Sequence, residues 1–130
     1  TDVIVGGAPC QPFSMVGKRR GLDDARGTLF YDFARIVNES KPKMFIYENV
    51  KGILSMQNGD TYKTIKKTFN EAGYTNLHDA VLNAKDYGIP QNRQRLFLIG
   101  FRKKKFYFYF SEKQSLKLAM QDLLENITFD

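Results

Sequence analysis

"KMFIYENV", residues 43–50, is a short run of apolar, aromatic and β-branched residues that closes on Glu48 and Asn49. That pattern predicts a buried strand with a polar end. Upstream, "DVIVGG" (2–7) is a β-branched run ending in glycines, which predicts a second buried strand entering a tight loop. Between them, "TLFYDFARIVNES" (28–40) repeats Leu29, Phe33, Ile36 and Val37 at helical spacing, and Pro42 stops it. Downstream, "TYKTIKKTFNEAGY" (61–74) predicts an amphipathic helix on Tyr62, Ile65, Phe69 and Ala72, closed by Gly73. "TNLHDAVLNA" (75–84) and "RLFLIGFR" (95–102) read as two further strands. The order strand, helix, strand, helix, strand, strand predicts an α/β layer structure with a mostly parallel sheet.

The remaining segments have no such period. Residues 8–27 are rich in Gly, Pro, Lys, Arg and Asp and read as a long loop, a length that in a compact domain usually carries function. After residue 102 the texture changes to the basic, then aromatic, "KKKFYFYF" (103–110). "SLKLAMQDLLENI" (115–127) has the spacing of a short amphipathic helix on Leu116, Met120, Leu123 and Leu124. The chain starts at Thr1 and runs at once into an apolar strand, so we expect a piece of a longer protein.

Composition narrows the chemistry. The 130 residues suffice for one modest domain with its own core. No apolar stretch approaches the ~20 residues that cross a bilayer, so no membrane partner is expected. A single cysteine excludes an internal disulfide and fits a reducing, cytoplasmic setting. With that one cysteine and one histidine, no metal site is expected. A formal charge of +6 suits either an anionic partner, nucleic acid first, or solubility alone.

In open α/β sheets ligands bind beyond the carboxyl ends of the strands. Cys10 and Gln11 follow the first strand, and Glu48 and Asn49 close the second. Arg93 and Arg95 stand at the start of the last strand, which joins the same end only if that strand runs antiparallel. Each residue alone has a plain reading: cysteine as a small buried hydrophobe, glutamate and arginine as solvated surface groups. Together they place a thiol, a carboxylate and two guanidiniums in one cleft. His78 lies far off in a predicted strand with no orienting partner near it, so a Cys–His hydrolase is disfavoured. An electron-poor ring that accepts a thiolate and a proton together would suit Cys10 with Glu48.

Three blocks, in order, carry a resemblance. "GGAPCQPFSMVGKRRGLDDARGTLFYDFARIV" resembles the catalytic-loop segment of the cytosine-C5 DNA methyltransferases of bacterial restriction–modification type. "KPKMFIYENVKGIL" is similar to their ENV segment, and "LNAKDYGIPQNRQRLFLIGFR" to their QxRxR segment. The resemblance implies the second half of a Rossmann-like S-adenosylmethionine-dependent fold, a mostly parallel sheet with one antiparallel strand. It makes residues 1–102 a partial catalytic domain and 103–130 the connection toward a target-recognition domain. It implies that Cys10 attacks C6 of a flipped cytosine, that Glu48 bonds N3 and the exocyclic amine, that Arg95 contacts O2, and that Arg93 sits near the backbone phosphate. Pro9 and Leu29 match cofactor-lining positions for S-adenosylmethionine. Gln11, Ser14, Lys18, Arg19, Arg20 and Asn49 are the further substrate contacts expected, with the basic triplet meeting the phosphates of double-stranded DNA.

The family's opening glycine-rich cofactor motif, its ribose-binding acid and its target-recognition domain have no counterpart in these 130 residues. The same or a separate chain is expected to supply them. The same chemistry on tRNA, and a basic binding domain that has lost turnover, are the alternatives. Intact Cys10, Glu48 and Arg95 weigh against the latter.

Overall fold

The computed structural model describes residues 1–7, 28–103 and 108–113. The expected loop over 8–27 and helix over 115–127 lie outside the described residues. Six main elements follow the expected order: β1 (Val3–Gly7), α1 (Thr28–Ser40), β2 (Met44–Val50), α2 (Asp60–Glu71), β3 (Asn76–Asn83) and β4 (Gln94–Phe101). Short 3-10 turns at Lys51–Leu54, Met56–Gly59 and Ala84–Tyr87 join them, without a distinct pattern in the sequence.

The sheet is mixed, with strand order β1-β2-β4-β3. β1 and β2 are parallel, joined through α1, and β4 is antiparallel to both of its neighbours. β1, β2 and β3 therefore share one direction and β4 alone is reversed, the single antiparallel strand expected. The reversal is what sets the functional end of the sheet. Val50 at the end of β2 lies opposite Arg95 near the start of β4, and Leu82 near the end of β3 lies opposite that same Arg95.

Both helices cover one face. Along β2 the residues alternate, with Phe45, Tyr47 and Asn49 buried and their neighbours half-buried, as a strand with one packed face should. Phe45 stacks on Phe69 of α2 with ring centroids 4.2 Å apart, and Phe30 of α1 meets Tyr47 and Phe69 edge-on. Ile53, Tyr62, Ile65, Tyr74, Leu96 and Leu98 belong to the same buried cluster. The face expected of α2 is the one it buries. In α1 the buried stripe is rotated from the expected one: Phe30, Ala34 and Val37 are buried, while Leu29 and Ile36 stay 44% and 43% exposed. Leu29 and Phe30 compete for the inner side of this helix, and the Phe30 ring wins because it reaches both Tyr47 and Phe69.

The margins of the layer are tied by polar groups. Tyr62 of α2 donates a hydrogen bond to Asp79 of β3 at 2.5 Å. Burial foremost, and then the Asp79 carboxylate, push the Tyr62 hydroxyl well above the usual phenol range. The Tyr74 hydroxyl donates to the Pro42 carbonyl at 2.7 Å, locking the turn before β2 to the turn after α2.

Gly100 is the tightest point of the core. It pairs with Phe45 across the β2–β4 seam, and a Cβ there would lie 2.2 Å from the Phe45 ring. Phe45 cannot retreat, because Phe69 is stacked on it. Gly100→Ala should therefore destabilise the domain by ~1–3 kcal/mol, the usual cost of forcing a methyl group into a filled core. Urea unfolding of both proteins checks this, and an unchanged midpoint would show that the seam has slack.

Candidate active site

The site is assembled where β2 ends and β4 begins. Glu48 faces away from the helices, on the side opposite Tyr47 and Asn49. Its Oε1 forms an ion pair with Arg95 Nε at 3.2 Å, with the two side chains 38% and 24% exposed. One further N–H of Arg95, on Nη1, goes to the Gln94 carbonyl at 2.8 Å. A guanidinium has five N–H donors, so Arg95 is held in place and keeps donors for a ligand.

On its other side Glu48 leans over β1. It is the register partner of Gly7, and a Cβ built on Gly7 would sit 2.8 Å from both the Glu48 carbonyl oxygen and Oε2. The absent side chain at Gly7 is what lets the carboxylate lie across the end of β1, where the chain continues toward Cys10. Glu48 is thus fixed between a cation on one strand and a bare backbone on another.

These residues line a cavity of about 310 Å³ walled by Glu48, Leu82, Asn83, Ala84, Tyr87, Arg93, Arg95 and Phe97. A lining that combines Leu82, Ala84 and Phe97 with a carboxylate and two guanidiniums suits a heterocycle that offers both hydrogen-bond donors and acceptors. Arg93 is exposed and lines the same cavity. Asn49 is placed elsewhere. It is 2% exposed, its Nδ2 donates to the Tyr47 hydroxyl at 2.9 Å, and its Oδ1 accepts the Val50 N–H at 2.8 Å. Both ends of its amide are engaged inside, holding the terminus of β2.

Cys10, Pro9, Gln11, Ser14, Lys18, Arg19 and Arg20 lie outside the described residues. Of the two expected cofactor contacts, Leu29 is described. It stands exposed in the first turn of α1. No cluster of His, Cys, Asp and Glu suited to a metal ion occurs among the described residues, and no described helix is long and apolar enough to cross a membrane. Sequence reasoning assigned no role to Asn83 or Tyr87. In the sequence Asn83 is marked only as an amide closing an apolar strand; its burial and the hydrogen bonds that satisfy it come from the fold.

Comparison with known proteins agrees with the geometry. Residues 1–128 match the family described as C-5 cytosine-specific DNA methylase. The type II methyltransferase M1.ScrFI of Lactococcus lactis subsp. cremoris is 44% identical over 97% of this chain and 32% of its own length. M.HhaI of Haemophilus parahaemolyticus is 48% identical over 95% of this chain and 38% of its own. An E. coli prophage protein described as a DNA modification methyltransferase superposes with a TM-score of 0.72 at 30% identity, covering 98% of this chain and 35% of that one. The chain therefore spans about a third of the length of the relatives it matches.

The Glu48–Arg95 pair is partly exposed, so its coupling in unfolding free energy should be modest, about 0.5–1 kcal/mol. A double-mutant cycle with Glu48→Gln and Arg95→Ala measures it, and strictly additive effects would mean that the pair does not persist in solution. With the carboxylate, the guanidiniums and the matched residues in one place, this chain belongs to the C-5 cytosine-specific DNA methylase family.

Proposed function

We propose that this chain carries the catalytic centre of an enzyme that methylates C5 of cytosine in double-stranded DNA. The observation that carries the reading is the Glu48 carboxylate, paired with Arg95 in a cavity where β2 ends and β4 begins, with Glu48 also lying against Gly7 at the end of β1, the strand that precedes Cys10 in sequence. Family membership supports it. The chain spans only about a third of the relatives' length, and on this reading the cofactor half of the site and a target-recognition domain are supplied from outside these 130 residues. An enzyme acting on a base must first take it out of the stack, and the flipped cytosine is the heterocycle that the cavity suits.

The chemistry distributes as follows. C5 of cytosine is a poor nucleophile until C6 carries a substituent that turns the ring into an enamine. The Cys10 thiolate adds to C6 as N3 takes a proton from Glu48, which enters this step as the carboxylic acid and leaves it as the carboxylate paired with Arg95, so the ring is never left with an uncompensated negative charge. S-Adenosylmethionine, when bound, supplies the electrophilic methyl group that C5 accepts. C5 then gives its proton to a solvent base, the freed electron pair restores the C5–C6 double bond, and the Cys10 thiolate leaves as N3 returns its proton to Glu48. Arg95 donates to O2 of the base and, through Nε, orients the carboxylate that works on N3. Lys18, Arg19 and Arg20 meet the phosphates, contacts that weaken with salt.

The reading is tested on the intact protein with duplex DNA, S-adenosylmethionine and mass spectrometry of the released nucleosides. 5-Methylcytosine should form. Cys10→Ser should abolish it, and Glu48→Gln should slow it by roughly 10²–10⁴-fold, the range for a lost acid–base group. Full turnover in Cys10→Ser, or methylation at a ring position other than C5, would overturn the reading.

A further inference from the structure

Arg93 has no side-chain partner of its own among the described residues, although it lines the cavity. An unpaired arginine keeps its rotamer freedom, so its reach depends on where its backbone is held. That backbone is held by one side chain. Asn83, at the end of β3 and 6% exposed, accepts the Arg93 N–H on Oδ1 at 3.0 Å. The same oxygen accepts the Lys85 N–H at 3.3 Å, capping the 3-10 turn at Ala84–Tyr87. Its Nδ2 donates to Asn92 Oδ1 at 2.7 Å. The Ala84 N–H adds a bond to the Arg93 carbonyl at 3.1 Å.

One buried amide thus pins both ends of the connection 84–93. It fixes the wall formed by Ala84 and Tyr87, and it fixes the point from which Arg93 leaves the backbone. A purely structural asparagine would need only to satisfy itself. This one makes all its observed bonds to the connection that carries an unpartnered cation into the site.

We propose that Asn83 is a positioning residue that aims Arg93 at the DNA backbone beside the flipped base, a role that rests on the function proposed above. The Asn83 amide acts through Arg93 and not on the substrate itself. Removing it frees the connection and leaves the phosphate without its arginine, while an aspartate in its place keeps both acceptor bonds.

The test combines two measurements on the intact protein. The first is the salt dependence of DNA binding, whose logarithmic slope falls by about one for each phosphate that the protein ceases to neutralise. Asn83→Ala should reduce the slope by about one, as Arg93→Ala does, and the double variant should show no larger reduction than either alone. Asn83→Asp should keep the original slope. The second is amide exchange in the 84–93 connection without DNA, which should rise at least tenfold in Asn83→Ala and stay near the original in Asn83→Asp. If Asn83→Ala does not fold, Asn92→Ala, at an exposed position, should raise the same exchange by a smaller factor. Additive slope changes, or a lowered melting temperature with slope and local exchange unchanged, would overturn the proposal. If Arg93→Ala itself leaves the slope unchanged, the phosphate role of Arg93 has failed rather than the hold on its backbone, and local exchange alone then decides whether Asn83 pins the connection.

Discussion

Everything at the functional end depends on the reversed strand β4 lying between β2 and β3. Had β4 run parallel to its neighbours, its first residues would lie at the opposite end of the sheet from Glu48. Reversal brings Arg95 beside Val50 and close to Glu48, and it brings the 84–93 connection over the same edge. The two ends of the β2–β4 seam are fixed by different physics. At the far end Phe45 fills the space that Gly100 leaves, which sets the separation of the strands by packing. At the near end Glu48 and Arg95 meet as an ion pair, which sets the direction of two side chains by charge. A register slip of one residue in β2 would turn Glu48 toward the helix-covered core, so the packing at one end protects the chemistry at the other.

Glycine enters this account through omission. At Gly7 the missing side chain lets a carboxylate cross the end of β1, and at Gly100 it admits an aromatic ring. The first shapes the site and the second the core. Both lie in strands, where glycine weakens pairing, and both are explained by what approaches them.

Much of the fold was legible in the sequence because its strands and helices are short and strongly patterned. KMFIYENV forms the expected strand, although it alternates between buried and half-buried residues instead of being buried throughout, and α2 buries Tyr62, Ile65 and Phe69. The phase of α1 was not legible. Leu29 and Phe30 are neighbours with equal claims to the interior, and only the ring packing against Tyr47 and Phe69 decides between them. The convergence of Glu48 and Arg95 was readable as soon as β4 was allowed to run antiparallel. Asn49 was misleading for the opposite reason. It follows Glu48 in sequence, but strand alternation turns it to the other face, into hydrogen bonds with Tyr47 and Val50. Asn83 stayed hidden because its partners, Lys85, Asn92 and Arg93, come together only once the connection has closed.

The central claim is that a thiol at Cys10 and a carboxylate at Glu48 act together on one cytosine. Covalent trapping tests it most directly. The intact protein is incubated with S-adenosylmethionine and duplex DNA carrying 5-fluorocytosine, whose fluorine cannot leave C5 as a proton does. The account predicts an adduct that survives denaturant, maps to the peptide containing Cys10, and forms more slowly in Glu48→Gln. An adduct through any other residue, or none in a protein that binds both DNA and S-adenosylmethionine, would contradict it.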